Sequence, residues 1–298
     1  MKSARYWEAA LLLLARLPAT AGRAIAWTFA HILFIICGSS RRRVMAEIQS
    51  HFPELSWQSR ARMTVGYVNH ILVSVFELVK MSKEPALNHE AVVIENPERL
   101  SEVGADATGT VVLTAHFGNP TVLCSWSAIF GRPVAYLVRP ERLNLHPLRR
   151  AVRAIFQRLA ESLGWLRIES SARGGIAAVR HLRRGNVLIV LSDLTWGSGI
   201  QTVKFFGSNY PVSRSAVRFA ALASCAILPL IVWRERANHH RLIVLPRIRV
   251  PESAGRPDDS SIMQEFTSQL EAEIRKRPEQ WAWIHESSSR SYQGLVHG

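Results

Sequence analysis

Residues 108–121 read Thr108-Gly109-Thr110-Val111-Val112-Leu113-Thr114-Ala115-His116-Phe117-Gly118-Asn119-Pro120-Thr121. The uncharged, β-branched run predicts a buried strand over Gly109–Ala115. It ends in His116, after which Gly118-Asn119-Pro120 turns the chain towards a helix expected over Thr121–Phe130. Ligands of open α/β sheets bind beyond the carboxyl ends of the strands, so a histidine at such an end faces the place where a substrate sits. Imidazole titrates near neutrality and can take a proton from an attacking hydroxyl, which makes His116 a candidate general base. A lone histidine is more often structural; its place at a strand end before Gly-Asn sets this one apart.

The same alternation extends along the chain. Strands are expected at Val92–Glu95, Pro133–Val138, Leu166–Ile168, Val187–Leu191, Val203–Phe206, Ala226–Trp233 and Leu242–Leu245. Helices are expected between them at His146–Leu163, Gly174–Arg184 and Ser213–Ala223, with a last one at Ser260–Arg277. Strands alternating with amphipathic helices imply crossover units, hence an α/β fold with a mixed, largely parallel sheet flanked by helices. Residues 44–86 read as helical, broken at Pro53, with Ser56 as an N-cap. There is no internal repeat and no low-complexity linker, so residues 44–298 read as one domain.

Residues 1–43 read as an N-terminal membrane-associated helical segment. The run Ala24–Gly38 carries no charge, but it is shorter than the about twenty residues a full span needs. Extending it back to Leu17 takes in Arg23, whose side chain can snorkel. The triplet Arg41-Arg42-Arg43 behind it favours a cytoplasmic location for the downstream domain. It can also hold anionic lipid at about 1 kcal/mol per residue. A buried helical hairpin of a soluble protein is the plainer alternative, and no small-residue cleavage site for a signal peptide is evident.

Net charge is +14, and only five residues are lysine, so arginine supplies nearly all of it. Arginine-rich surfaces suit phosphate-bearing partners, although a GC-rich genome also writes arginine for lysine. The charge is dispersed and no nucleic-acid motif is present, which argues against a nucleic-acid partner. Three widely spaced cysteines, Cys37, Cys124 and Cys225, odd in number and with no C-x-x-C pair, make both a disulfide framework and a zinc site improbable.

The His116 stretch resembles the active-site block of the lysophospholipid acyltransferase superfamily, in its bacterial lipid A lauroyl/myristoyl branch. That branch carries H-x-x-x-x-D/E, commonly His-Phe-Gly-Asn-Trp-Glu. Further blocks are similar and fall in order. His51-Phe52-Pro53-Glu54-Leu55-Ser56 resembles "FPELS", and Tyr136–Pro140 resembles "YRP", placing Arg139 on the family arginine. Residues 185–197, with Ser192-Asp193, resemble "KKG…PD…YG". Phe205-Phe206-Gly207, with Ala220 thirteen residues after the glycine and Pro229 beyond, resembles "FFG…LA…VP". Arg277–His285 resembles "APEQYMWLH". The resemblance implies an acyltransferase-type α/β domain on the cytoplasmic face of the inner membrane. It implies transfer from acyl carrier protein or a coenzyme A thioester to a hydroxyl of a glycolipid or lysophospholipid, with neither cofactor nor metal. His116 is then the base, backbone N–H groups around Gly118 and Asn119 meet the oxyanion, and Arg139 pairs with a phosphate.

One departure bears on activity. Five residues after His116 stands Thr121, which has no charge to stabilise imidazolium, and none of the eleven histidines begins an H-x-x-x-x-D/E. Thr195 replaces a second acidic position, and Glu286 stands where the family usually has a basic residue. Three readings stay open. Asp193 supplies the missing charge, its alternative role being a cap or turn residue. The enzyme works slowly or leans on a phosphate of its acceptor. Or the chain is a catalytically impaired acyl- or lipid-binding paralogue acting as an accessory protein. For Arg139 the plain alternative is a surface salt bridge, for Phe205-Phe206-Gly207 it is packing, and for Trp281 and Trp283 it is anchoring of the last helix.

Overall fold

The computed structural model describes residues 2–84, 92–103, 108–125, 127–138, 146–193, 199–236, 239–250 and 259–282. Four helices lead: α1 (Lys2–Leu14), α2 (Ala19–Ile36), α3 (Gly38–His51) and α4 (Trp57–Lys83). The arginine triplet lies within the first turns of α3 rather than in a loop. Ser56 caps α4 by accepting a hydrogen bond from the Ser59 N–H, satisfying one of the orphan donors of the first turn. The α/β part comes after them as β1 (Val92–Glu95), β2 (Thr110–Thr114), α5 (Val122–Ser125), β3 (Val134–Val138), α6 (Pro147–Ser162) and β4 (Leu166–Glu169). Next come α7 (Ala172–Arg183), β5 (Val187–Leu191), β6 (Ile200–Phe205), β7 (Ser208–Ser213) and α8 (Ser215–Ala223). The last elements are β8 (Ala226–Arg236), β9 (His239–Val244), β10 (Ile248–Arg249) and α9 (Asp259–Lys276).

The main sheet runs β1-β9-β8-β2-β5-β3-β4, with β10 added beside β8. Neighbours are parallel except at β8–β9 and β8–β10, so the expected mixed, largely parallel sheet is what the chain builds. Both faces of the sheet are covered, which is why its central strands are continuous apolar runs. Val111 and Leu113 of β2 face one core with Leu182 of α7, Val217 of α8 and Phe266 of α9. Val112 faces the other core with Leu11 of α1, Val79 of α4 and Ile155 of α6.

Two local expectations change. The helix expected over Thr121–Phe130 is only α5 and a 3-10 turn at Ser127–Phe130. The side-chain turn Asn119–Thr121 accounts for the start at Val122, one residue later than expected, and regular helix ends at Ser125. The strand expected over Val203–Phe206 is β6, which forms an antiparallel ribbon with β7, an unanticipated strand. Pro211 argues against a strand in sequence, but a two-stranded ribbon has only edges, where a missing N–H is tolerated. Phe206 and Gly207 form its two-residue turn with φ of 49° and 73°, the type I′ geometry that hairpins favour.

Among the described residues, α2 is the one helix long and apolar enough to cross a membrane. It lies against α4, burying Gly22, Ala26 and Ala30, a stripe at i, i+4 and i+8. Trp27, Phe29, Ile32, Ile35 and Ile36 stay exposed, as do Tyr6, Trp7, Leu13 and Leu14 of α1. An ion pair between Glu8 and Arg158 (2.7 Å) ties α1 to α6.

Candidate active site

Strands β2 and β5 pair in parallel with Thr114 opposite Leu191. The ladder continues one step, the Ser192 N–H donating to the Thr114 carbonyl at 3.0 Å. His116 and Asp193 therefore emerge at the same level, each two residues past its strand. Asp193 is buried (4 % exposed), and its carboxylate holds His116 at two points. Oδ2 accepts from the His116 backbone N–H, and Oδ1 accepts from the ring Nδ1–H, both at 2.9 Å. A carboxylate only accepts, so Nδ1 carries the proton and Nε2 is the basic nitrogen of the neutral ring. The imidazole itself is about a quarter exposed (26 %), so it can be reached from solvent. Ser192 and Asp193 also border a narrow, mostly apolar slot between the β6–β7 ribbon and α9, lined by Phe205, Tyr210, Phe266 and Leu270.

The turn after His116 is fixed from three sides. Its backbone pairs with the segment after α9: the Ala282 N–H donates to the His116 carbonyl (2.9 Å), and the Gly118 N–H donates to that of Gln280 (3.0 Å). The Gly118 N–H is thus occupied in this structure. Gly118 has φ of +62°, and a Cβ there would strike the Val232 carbonyl and Trp233 Cα, so only glycine fits. Asn119 is buried at 1 % exposure and donates through Nδ2 to Glu77 Oε2 at 2.8 Å. Thr121 donates its hydroxyl to Asn119 Oδ1 at 2.5 Å, so the residue at the family's acid position completes a turn motif. Arg139, Thr195, Trp283 and Glu286 lie outside the described residues.

Beneath the turn is a charged network that the sequence reading missed. Arg234 of β8 reaches Glu77 of α4 with a two-pronged contact, Nε to Oε1 at 2.8 Å and Nη2 to Oε2 at 2.7 Å. It also donates to Ser74 Oγ (2.9 Å) and to His70 Nδ1 (2.7 Å). His70 then presents its Nε2–H to the Gly118 carbonyl at 3.0 Å. Burial, reinforced by the Arg234 charge, pushes the His70 pKa down to about 3, so the ring is neutral, as its two bonds require. Burial likewise takes His240 down to about 4, although Glu77 beside it acts the other way. For Glu77 burial raises the pKa, but the charge and hydrogen bonds of Arg234 outweigh it and hold the carboxyl below its ordinary value. A signal was present in sequence: His70, Ser74 and Glu77 put three polar groups at helical spacing on a face otherwise made of Val73, Leu78 and Met81.

Phe205 and Phe206 pack around the fully buried Trp281 with ring centroids 5.3 and 5.9 Å away, which is the packing role expected for these residues. Cys124 and Cys225 are buried free thiols.

A mixed, largely parallel sheet with a histidine past the end of a central strand and a carboxylate past the end of its neighbour defines an α/β enzyme-like scaffold. The family of bacterial lipid A biosynthesis acyltransferases matches residues 2–287, and the chain belongs to that family. No curated protein matches the chain. Membership places it among acyl-transfer enzymes, acting on an acyl donor and a lipid acceptor.

Proposed function

We propose that this protein transfers an acyl group from an acyl carrier protein or coenzyme A thioester to a hydroxyl of a glycolipid or lysophospholipid at the inner membrane, with its catalytic domain on the cytoplasmic side. The single observation that carries the reading is the pair of hydrogen bonds from Asp193 to His116. They supply at Nδ1 the carboxylate that Thr121 cannot. His116 Nε2 takes the proton of the acceptor hydroxyl as its oxygen attacks the thioester carbonyl, forming the C–O bond. The tetrahedral intermediate collapses, the C–S bond breaks, and the sulfur takes the proton back from the imidazolium to leave as a thiol. Asp193 stabilises the imidazolium between these steps. Oxyanion stabilisation falls to backbone N–H groups of the turn other than that of Gly118, with Asn119 the nearest in sequence, and Arg139 pairs with a phosphate of donor or acceptor.

Membrane attachment is proposed through α1 and α2 lying in one leaflet. Lateral packing of α2 on α4 favours this over a free-standing span, because α4 carries Lys80, Lys83 and the Glu77 network into the folded domain. Exposed tryptophan, phenylalanine and isoleucine on the outer side supply the apolar area such an anchor requires.

The test is transfer of labelled acyl chains from both thioesters to a panel of lipid acceptors in mixed micelles. Wild type should acylate at least one acceptor, and His116→Ala should abolish turnover while keeping its melting transition. Absence of transfer from either donor to every acceptor would favour the accessory, acyl-binding reading.

A further inference from the structure

Both polar backbone groups of Gly118 trace back to Arg234. The Gly118 N–H donates to the Gln280 carbonyl at 3.0 Å. The Gln280 side chain in turn brackets the Arg234 backbone, accepting from its N–H and donating to its carbonyl, each at 2.8 Å. On the other side, His70 Nε2 donates to the Gly118 carbonyl at 3.0 Å, and the Arg234 guanidinium donates to His70 Nδ1 at 2.7 Å. The guanidinium bond decides the imidazole bond. A guanidinium only donates, so Nδ1 is bare and the ring proton sits on Nε2, facing the carbonyl. A third route runs through Glu77, which accepts both from Arg234 and from the Asn119 side chain. Burying an ion pair together with an imidazole costs more than an apolar filling of the same space, which points to a task other than packing.

We infer that His70, held in its tautomer by Arg234, is a positioning residue that fixes the Gly118–Asn119 peptide so that the Asn119 N–H serves as the oxyanion donor. The inference rests on the acyl-transfer reading and names what sets its oxyanion geometry. The peptide is trans and planar, so its C=O and N–H point in opposite directions. Pinning the carbonyl to α4 therefore turns the Asn119 N–H away from α4. Among the described residues that N–H has no hydrogen-bond partner, although Asn119 is buried. Buried backbone N–H groups without a partner are rare, and a catalytic role is one of the few reasons for keeping one. The glycine on its other side makes this peptide easy to rotate, and a rotated peptide would turn its carbonyl towards the developing negative charge. The bond from the Gly118 N–H to Gln280 does not prevent this, since it belongs to the preceding peptide. The bond from His70 does. His116 is held separately by Asp193, so the base and the oxyanion donor have independent supports.

The experiment uses the full-length protein and compares His70→Gln with His70→Leu. Glutamine keeps an acceptor for Arg234 and a donor for the Gly118 carbonyl on one planar amide, whereas leucine keeps neither bond. Initial rates are measured with the thioester and acceptor that wild type uses, alongside thermal melting. The oxyanion is probed with a trifluoromethyl ketone analogue of that thioester, whose hydrate presents a tetrahedral C–O⁻. Removing one oxyanion donor outright costs about 100- to 1,000-fold in kcat, which bounds the effect. His70→Leu should lower kcat by at least about tenfold and weaken inhibition by the ketone by the same factor, with KM for the donor unchanged. Its pH–rate profile should keep the wild-type midpoint, because the pairing of His116 with Asp193 is untouched. His70→Gln should recover most of both losses. Arg234→Lys keeps a charge beside Glu77 but not the fork that also reaches His70; it should repeat the leucine pattern, and it decides the matter if His70→Leu does not fold. A fall in kcat with unaltered ketone affinity would mean only a smaller active fraction and would overturn the inference, as would wild-type kinetics in His70→Leu. Should wild type transfer nothing, the acyl-transfer reading fails by itself. Crystal structures of wild type and His70→Leu then judge the positioning role: an unmoved Gly118–Asn119 peptide refutes it, and a rotated one sustains it.

Discussion

Replacing Asp193 by asparagine changes one atom and isolates the role of the carboxylate. In the wild type both oxygens accept, one from the His116 N–H and one from the ring Nδ1–H. Asparagine has one acceptor and one donor. If its oxygen stays on the backbone N–H, its amide N–H₂ faces Nδ1, and the ring must move its proton to Nε2 to accept there. The nitrogen needed as base is then blocked. The reverse orientation sets two donors against each other at the buried backbone amide, which costs about 1–3 kcal/mol and does not persist. Wrong-tautomer substitution in a comparable triad lowers turnover by about ten-thousand-fold. Four decades correspond to about 5.4 kcal/mol of lost transition-state stabilisation. The assay is initial-rate acyl transfer under saturating donor, alongside thermal melting to show that the fold survives. Turnover should fall by about three to four decades with little change in KM. Retention of more than about a tenth of wild-type turnover by Asp193→Asn would refute the proposed pairing.

Thr121→Glu, which restores the family's motif, should raise turnover less than about tenfold, because Nδ1 is already paired and the new charge lies next to Asn119 and Glu77; a larger gain in the same assay would mean that Asp193 does not serve the ring. Arg234→Met leaves Glu77 charged and buried, and should lower the free energy of unfolding by about 3–5 kcal/mol, whereas Glu77→Gln with Arg234→Met should lose less; urea midpoints with constant slope measure both. His70 and His240 are held neutral with pKa values near 3 and 4, while the unfolded chain protonates them near 6.5. Stability should therefore be level above about pH 6.5 and fall as pH drops from there towards 4, and His240→Asn should flatten the slope of urea midpoint against pH. Removal of residues 1–36 should release most of the chain from sedimenting membranes at moderate salt, leaving residual retention through Arg41, Arg42 and Arg43; recovery of the intact protein in the soluble fraction would exclude the proposed anchor.

The sheet was readable because its central strands are buried on both faces, so β2 and β5 appear as uninterrupted apolar runs with charged or glycine-rich boundaries. β5 falls on Val187–Leu191, as read. β7 was not readable: Ser208-Asn209-Tyr210-Pro211 has turn composition, and only its pairing with β6 makes it a strand. At the candidate site, the place of His116 past a strand end was legible in the sequence. Asp193 was legible only through block order, since what joins it to His116 is the register of two strands 77 positions apart in sequence. Glu77 and Arg234 were not singled out, because 157 residues separate them and each alone looks like one more charge in an arginine-rich chain.

The position of the carboxylate and the network under the turn belong to one electrostatic arrangement. An acid at position 121 would stand beside Asn119, whose amide is already bound to the buried Glu77 carboxylate. Glu77 is balanced by one guanidinium, Arg234, which also carries the hydrogen bond that sets the His70 tautomer. A second carboxylate on that side of the turn would raise the cost of keeping Glu77 ionised, with Arg234 the charge partner in place there. Placing the carboxylate on β5 keeps the two negative charges on separate elements, one answered by Arg234 and the other held against the imidazole. The β2–β5 ladder fixes the second pairing, because its register sets Asp193 level with His116. A threonine at 121 then fits its place: its hydroxyl satisfies Asn119 Oδ1 without adding charge, and the turn keeps its shape while, in the proposed mechanism, the proton chemistry depends on the neighbouring strand.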